Sequence, residues 1–148
     1  MRPKPFLSIP TLCVVLALST ATPASADIRI LSSPGGEIRG FLRLFEVLRE
    51  SGERIVIDGP CFSACTLVLS TIPRERICVT RRAVLGFHGP RLFDYEGNEY
   101  IVPPSLNAAV AHVYPKPVQH WIARRGGLTK RLITLRGAEL YRHYPRCS

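Results

Sequence analysis

Three observations in the sequence predict an α/β domain organised around a parallel sheet. Short apolar runs of strand character recur at residues 28–31, 55–57, 77–80 and 83–87. Segments with helical spacing, residues 37–51 and 64–72, lie between the first three of them. Strand, helix, strand, helix, strand is the order that right-handed crossovers require. Past residue 104 the pattern is helical, so a helical C-terminal part follows the sheet.

Each element has a local cause. The first run, Ile28-Arg-Ile-Leu31, alternates and enters Ser32-Ser-Pro-Gly-Gly36, which reads as a tight turn. Phe41, Leu42, Leu44, Phe45 and Leu48 recur at helical spacing, predicting a helix over 37–51 closed by Gly52. Residues 55–57 form a buried strand ended by Asp58-Gly59-Pro60. The apolar stretch 64–72 favours a buried helix that Pro73 stops. Strands over 77–80 and 83–87 flank the Arg81-Arg82 pair. Gly89-Pro90 then turns the chain into a polar loop or hairpin, 91–104, containing Tyr95, Gly97 and Tyr100. Helical segments are expected at 105–113, at 118–125 capped by Gly126-Gly127, at 128–132 and at 138–143.

Residues 1–26 read as an export signal, because Arg2 and Lys4 precede an apolar run and Ala24-Ser25-Ala26 ends it with a small-x-small pattern. That run is shorter than the roughly 20 residues a bilayer span needs, so no stable membrane anchor is expected after cleavage. What remains, 27–148, has room for one domain with one core. A periplasmic or secreted location follows. The net charge of +9 falls to about +7 when Arg2 and Lys4 leave with the signal. Its arginines are scattered and lack interleaved aromatics, which argues for a solvated basic surface and against a nucleic-acid partner. Cys61, Cys65, Cys78 and Cys147 remain, and an even count in an exported chain favours disulfides with three connectivities open. No Cys-x-x-Cys pair exists, and His112, His120 and His143 share no ligand spacing with the cysteines, so neither metal nor cofactor is expected.

The chemistry lies between Leu31 and Pro90. A serine hydroxyl becomes a useful nucleophile when a neighbouring base takes its proton and preorganised donors stabilise the oxyanion. Ser63, in Gly59-Pro-Cys-Phe-Ser-Ala-Cys65, falls where a strand gives way to a helix, so backbone amides face its side chain. The Gly35-Gly36 turn offers a second set of amides. His88, in Gly86-Phe-His-Gly-Pro90, ends a strand far enough along to return beside the serine. Read singly, these are a helix N-terminus, an N-cap serine and a structural histidine. Their coincidence in this order points to a serine hydrolase.

Together these residues resemble the proteolytic subunit of Clp protease and, more broadly, the Clp-protease/crotonase-like superfamily. The match is best over 28–90 and looser over 132–145, where Leu135-Arg-Gly-Ala-Glu-Leu140 looks like the family's leucine-x-x-x-glutamate helix opening. The resemblance implies a parallel sheet of ββα-type units with a helical C-terminal part. It also implies a peptidase-like hydrolase with a peptide or protein substrate, Ser63 as nucleophile, His88 as general base, and the Gly36 and Ala64 amides as oxyanion hole. In the family the closing segment runs beside the strand matching 77–80, which would bring Cys147 to Cys78. Cys61 and Cys65 would then be partners of each other or a reduced pair; they either rigidify the serine turn or serve as small buried hydrophobes.

The family's acid falls close to Leu132 here, which cannot orient an imidazole. Asp94, Glu139 or a backbone carbonyl would have to take its place, so the expectation is a Ser63–His88 pair rather than a full triad. The family's opening strands are missing once the signal is removed, which argues against a heptameric chamber and leaves homo-oligomerisation open. Two alternatives stand beside the hydrolase. One is an inactive relative that binds a peptide or protein in the same cleft. The other is a crotonase-type enzyme acting on a thioester, which an exported protein rarely meets.

Overall fold

The structure, a computed structural model, describes residues 26–148, so the export-signal reading lies outside it except for Ala26. Strand β1 (Asp27–Ile30) turns Ile28 and Ile30 inward and leads, through the Ser-Pro-Gly-Gly turn, to helix α1 (Ile38–Ser51). Glu37 caps that helix by accepting from the Gly40 amide at 3.1 Å. Gly52, at φ 77°, ends it in the left-handed conformation that glycine adopts without steric cost. Beyond the cap, Arg76 donates to the carbonyls of Leu48, Arg49 and Glu53, supplying partners that the last turn lacks.

β2 (Arg54–Ile57) and β4 (Ile77–Val79) complete a parallel sheet in the order β1-β2-β4. Ile55, Val56 and Ile57 are all fully buried, the run expected of a strand covered on both faces. At Asp58-Gly59 the chain leaves this sheet. β3 (Pro60–Phe62), β5 (Val84–Phe87) and β8 (Ile133–Arg136) make a second sheet in the order β3-β5-β8, with β3 parallel and β8 antiparallel to β5. A 3-10 turn (Ser63–Leu67) and helix α2 (Val68–Thr71) follow β3 directly, so the predicted 64–72 helix begins with a tighter turn at the serine.

A hairpin of β6 (Leu92–Phe93) and β7 (Glu99–Tyr100) precedes α3 (Pro104–His112) and α4 (Lys116–Arg124). Val118, Trp121 and Ile122, spaced to share one helix face, are buried. Trp121 and Tyr114 both pack on Phe87 of β5, with ring centroids 5.7 and 5.3 Å away. Among the described residues no helix is long and apolar enough to cross a membrane.

The expected helix at 128–132 is absent. Residues 129–132 are irregular after the Gly126-Gly127 stop, and Ile-Thr-Leu-Arg then alternates into β8, with Ile133 and Leu135 buried. Partnership with β5, Ile133 opposite Phe87 and Leu135 opposite Leu85, outweighs local helical preference. After α5 (Gly137–Tyr141) the last residues run beside β4: Val79 donates to Pro145 at 2.9 Å and Cys147 to Val79 at 3.1 Å. Cys147 and Cys78 are bonded there.

Candidate active site

Three chain segments converge on the end of β3. The Ser33 strand-like segment pairs with it, Ser33 donating to Pro60 at 2.8 Å and Phe62 to Ser33 at 2.9 Å. That pairing lays Gly35 against the turn that follows. Ser63, the first residue of the 3-10 turn, has φ 54°, the only positive value at a non-glycine among the described residues. A left-handed residue at a strand-to-helix junction lifts its side chain off both elements, and for serine this costs about 1–2 kcal/mol.

The turn is tied from below. Thr66 donates to the Ser63 carbonyl at 2.7 Å and lies 2.7 Å from the Tyr114 hydroxyl. With the Thr66 proton committed to Ser63, Tyr114 is the donor in the second bond. Burial pushes the Tyr114 hydroxyl pKa up, opposed by its bond to Thr66, so it stays a donor. The Cys61–Cys65 disulfide closes around the same turn with Cα atoms 5.3 Å apart.

Ser63, Ala64, Gly36 and His88 line one cleft of about 820 Å³, whose walls also include Leu67, Val110 and Tyr114. The Ala64 amide belongs to the first turn of its helix, where amides have no intrahelical acceptor. The neighbouring Gly35 amide is held by the Ser33 hydroxyl at 3.3 Å. Another cavity, about 650 Å³ between α3 and α4, contains none of the four.

His88 follows β5 directly and is half-buried, its Nδ1 lying 2.5 Å from the Gly89 carbonyl oxygen. A carbonyl only accepts, so Nδ1 donates to it, and in the neutral ring Nε2 then presents the lone pair. The Gly89 amide is itself anchored to the Thr129 carbonyl at 2.7 Å. Asp94 is occupied with Asn98 and the hairpin turn, and Glu139 pairs with Arg125 at 2.8 Å. Glu99 pairs with Arg91 at 3.0 Å and Lys130 at 3.3 Å. Of the sequence's candidates for orienting the imidazole, the backbone carbonyl is the one in contact. No hydrogen bond joins Ser63 to His88 among the described residues.

No protein-family model matches this chain, and no curated protein does. Solved structures do. The 1510-N membrane-bound stomatin-specific protease, in a serine-to-alanine mutant, superposes with a TM-score of 0.55 at 14% identity, covering 79% of this chain and 60% of the other. A lysine-to-alanine mutant of that protease in complex with a substrate peptide gives 0.50 at 16% identity, over 79% and 57%. This chain therefore spans less than two thirds of those chains. At such identities the likeness speaks for the fold, a Clp-protease-like α/β arrangement, and does not single out the crotonase branch. Lys116 borders the other cavity; Lys130, paired with Glu99, is not in the lining of the Ser63 cleft but shares with His88 an adjoining cavity of about 450 Å³.

Proposed function

We propose that this chain is an exported serine hydrolase, peptidase-like, working by acyl transfer through Ser63 and His88. The observation that carries the reading is the Gly89 carbonyl on His88 Nδ1, which leaves Nε2 as a free base in the cleft of the strained serine. In the proposed step Nε2 takes the Ser63 proton as Oγ attacks a peptide carbonyl. The amides of Gly36 and Ala64 receive the oxyanion, and the same proton passes to the leaving amine. A peptide substrate is favoured because a neighbouring fold was solved with one. Two disulfides and the signal-like first 26 residues favour a periplasmic or secreted location. No cofactor enters this chemistry, and homo-oligomerisation stays part of the proposal without bearing on it.

A carbonyl is a weaker orienter than a carboxylate and stabilises the imidazolium less, having a dipole but no net charge, so turnover is expected to be low for the class. A second reading, an inactive relative that binds peptide in the same cleft, is favoured by the missing hydrogen bond between Ser63 and His88. Apo sites are often loose in this way, which is why chemistry decides. The mature protein is treated with a fluorophosphonate probe beside Ser63→Ala and His88→Ala. Labelling of the wild type alone supports the hydrolase. Equal labelling of wild type and Ser63→Ala, with retained peptide binding, supports the second reading.

A further inference from the structure

We propose that the Cys61–Cys65 disulfide is a positioning element for the Ser63 hydroxyl, acting on the turn beyond its share in the stability of the domain. Its catalytic consequence rests on the hydrolase reading above; its premise rests on geometry. A left-handed serine crowds its own backbone, so a free turn relaxes it to the right-handed or extended region. Ser63 nevertheless sits at φ 54°. It lies midway between Cys61, the centre of β3, and Cys65, inside the 3-10 turn. The sulphur bond closes a short ring with Ser63 at its apex, fixing how far the helix start stands from the strand end.

The two disulfides divide the labour. Cys78–Cys147 encloses a separation of 69 residues and Cys61–Cys65 a separation of four. Loop-closure entropy grows with the logarithm of the enclosed length, so the short bond constrains the unfolded chain roughly half as much as the long one. Cys61 is 0% exposed and Cys65 1%, so the pair is shielded from exchange with solvent thiols. Two further contacts bear on Ser63: Gly35 from one side and the Thr66 hydroxyl on its carbonyl. Neither spans the junction, because Gly35 belongs to another segment and Thr66 to the same turn. Among the described residues, the Cys61–Cys65 bond is the side-chain link that ties strand to turn across the serine.

The test uses the full exported chain and compares Cys61→Ala/Cys65→Ala with Cys78→Ala/Cys147→Ala, each checked for folding by circular dichroism. Amide hydrogen exchange is read at residues 62–66, and fluorophosphonate labelling reports Ser63. In the first variant exchange at 62–66 should rise about tenfold or more beyond the rise that lower global stability brings to the core strands. Its labelling rate should fall about tenfold, and with a cleaved peptide the loss should appear in kcat, with KM within about twofold. The second variant should unfold at lower denaturant, with exchange at 62–66 rising no more than in the core strands, and keep wild-type labelling. Exchange at 62–66 that rises no more than in the core strands of the folded first variant overturns the clamp, whether or not the protein is an enzyme. Faster exchange with undiminished labelling overturns the positioning role. If the wild type is labelled no more than Ser63→Ala, the hydrolase reading falls instead, and the exchange measurement alone decides the clamp. Should the first variant not fold, Cys61→Val/Cys65→Ala, which refills the buried space, takes its place.

Discussion

Gly35 touches Ser63 so closely that a β-carbon on the glycine would stand 2.6 Å from the serine Cβ and 2.6 Å from the Phe62 carbonyl oxygen. Gly35 also has φ 90°, a conformation that side chains rarely take. Gly35→Ala therefore combines backbone strain with a clash against backbone that cannot swing aside. It should cost about 3 kcal/mol in a urea melt and displace the serine turn. A loss under about 0.5 kcal/mol would mean that the turn has slack which this packing denies.

The strain at Ser63 has its own signature. Glycine carries no penalty at φ 54°, whereas alanine keeps it, so Ser63→Gly should be more stable than Ser63→Ala by about 1 kcal/mol. Denaturant midpoints of the two variants measure the difference. Equal midpoints would show that the left-handed conformation is relaxed when the hydroxyl is gone.

Arg76 holds three carbonyls at and just beyond the C-terminus of α1, at 2.7 to 2.9 Å. Arg76→Ala should destabilise the protein by about 2 kcal/mol, and Arg76→Lys, with a single ammonium, should recover only part of that. Full recovery by lysine would mean that charge near the helix end, not the fork of donors, is what matters.

Removing Cys78–Cys147 should cost more than removing Cys61–Cys65: about 4 kcal/mol against about 2 on chain-entropy grounds. Unfolding midpoints of the two double-alanine variants test this order. The reverse order would place the short bond among the main supports of the domain.

Asp58 gives a pH test. Bonds from Arg82 and Thr80 outweigh the opposing effect of burial and, with help from Arg29, hold its pKa at about 2 instead of 3.8. A carboxylate with a depressed folded pKa contributes stability above its unfolded pKa and loses it as pH falls through the folded value. Stability should therefore decline between about pH 4 and pH 2, and Asp58→Asn should flatten that part of the profile. An identical acid slope in wild type and Asp58→Asn would assign the loss to other carboxylates.

Most of the core was legible in the sequence. Apolar runs at 28–31, 55–57, 77–80 and 83–87 became β1, β2, β4 and β5, and the Phe41-Phe45-Leu48 spacing became α1, because burial on one or two faces leaves a periodic trace. β8 was missed although Ile133-Thr-Leu-Arg136 alternates, since the trace is only four residues long and its partner, β5, is distant in sequence. β3 was missed for a similar reason: Pro60-Cys-Phe62 is three residues long and its pairing partners are Ser33 and β5.

By itself the sequence determined the α/β class, pointed to Gly36, Ser63, Ala64 and His88 as candidates for one site, and carries no carboxylate at the position near Leu132. Residue type and spacing carry those facts. Only the tertiary structure decided that Ser63 would be left-handed, that Cys61 would bond Cys65, and that the Gly89 carbonyl would face His88 Nδ1. Each depends on the relative placement of backbone segments, which side-chain identity constrains only through the fold as a whole. A main-chain carbonyl is present at every residue, so nothing in the amino-acid sequence marks the one that holds a histidine.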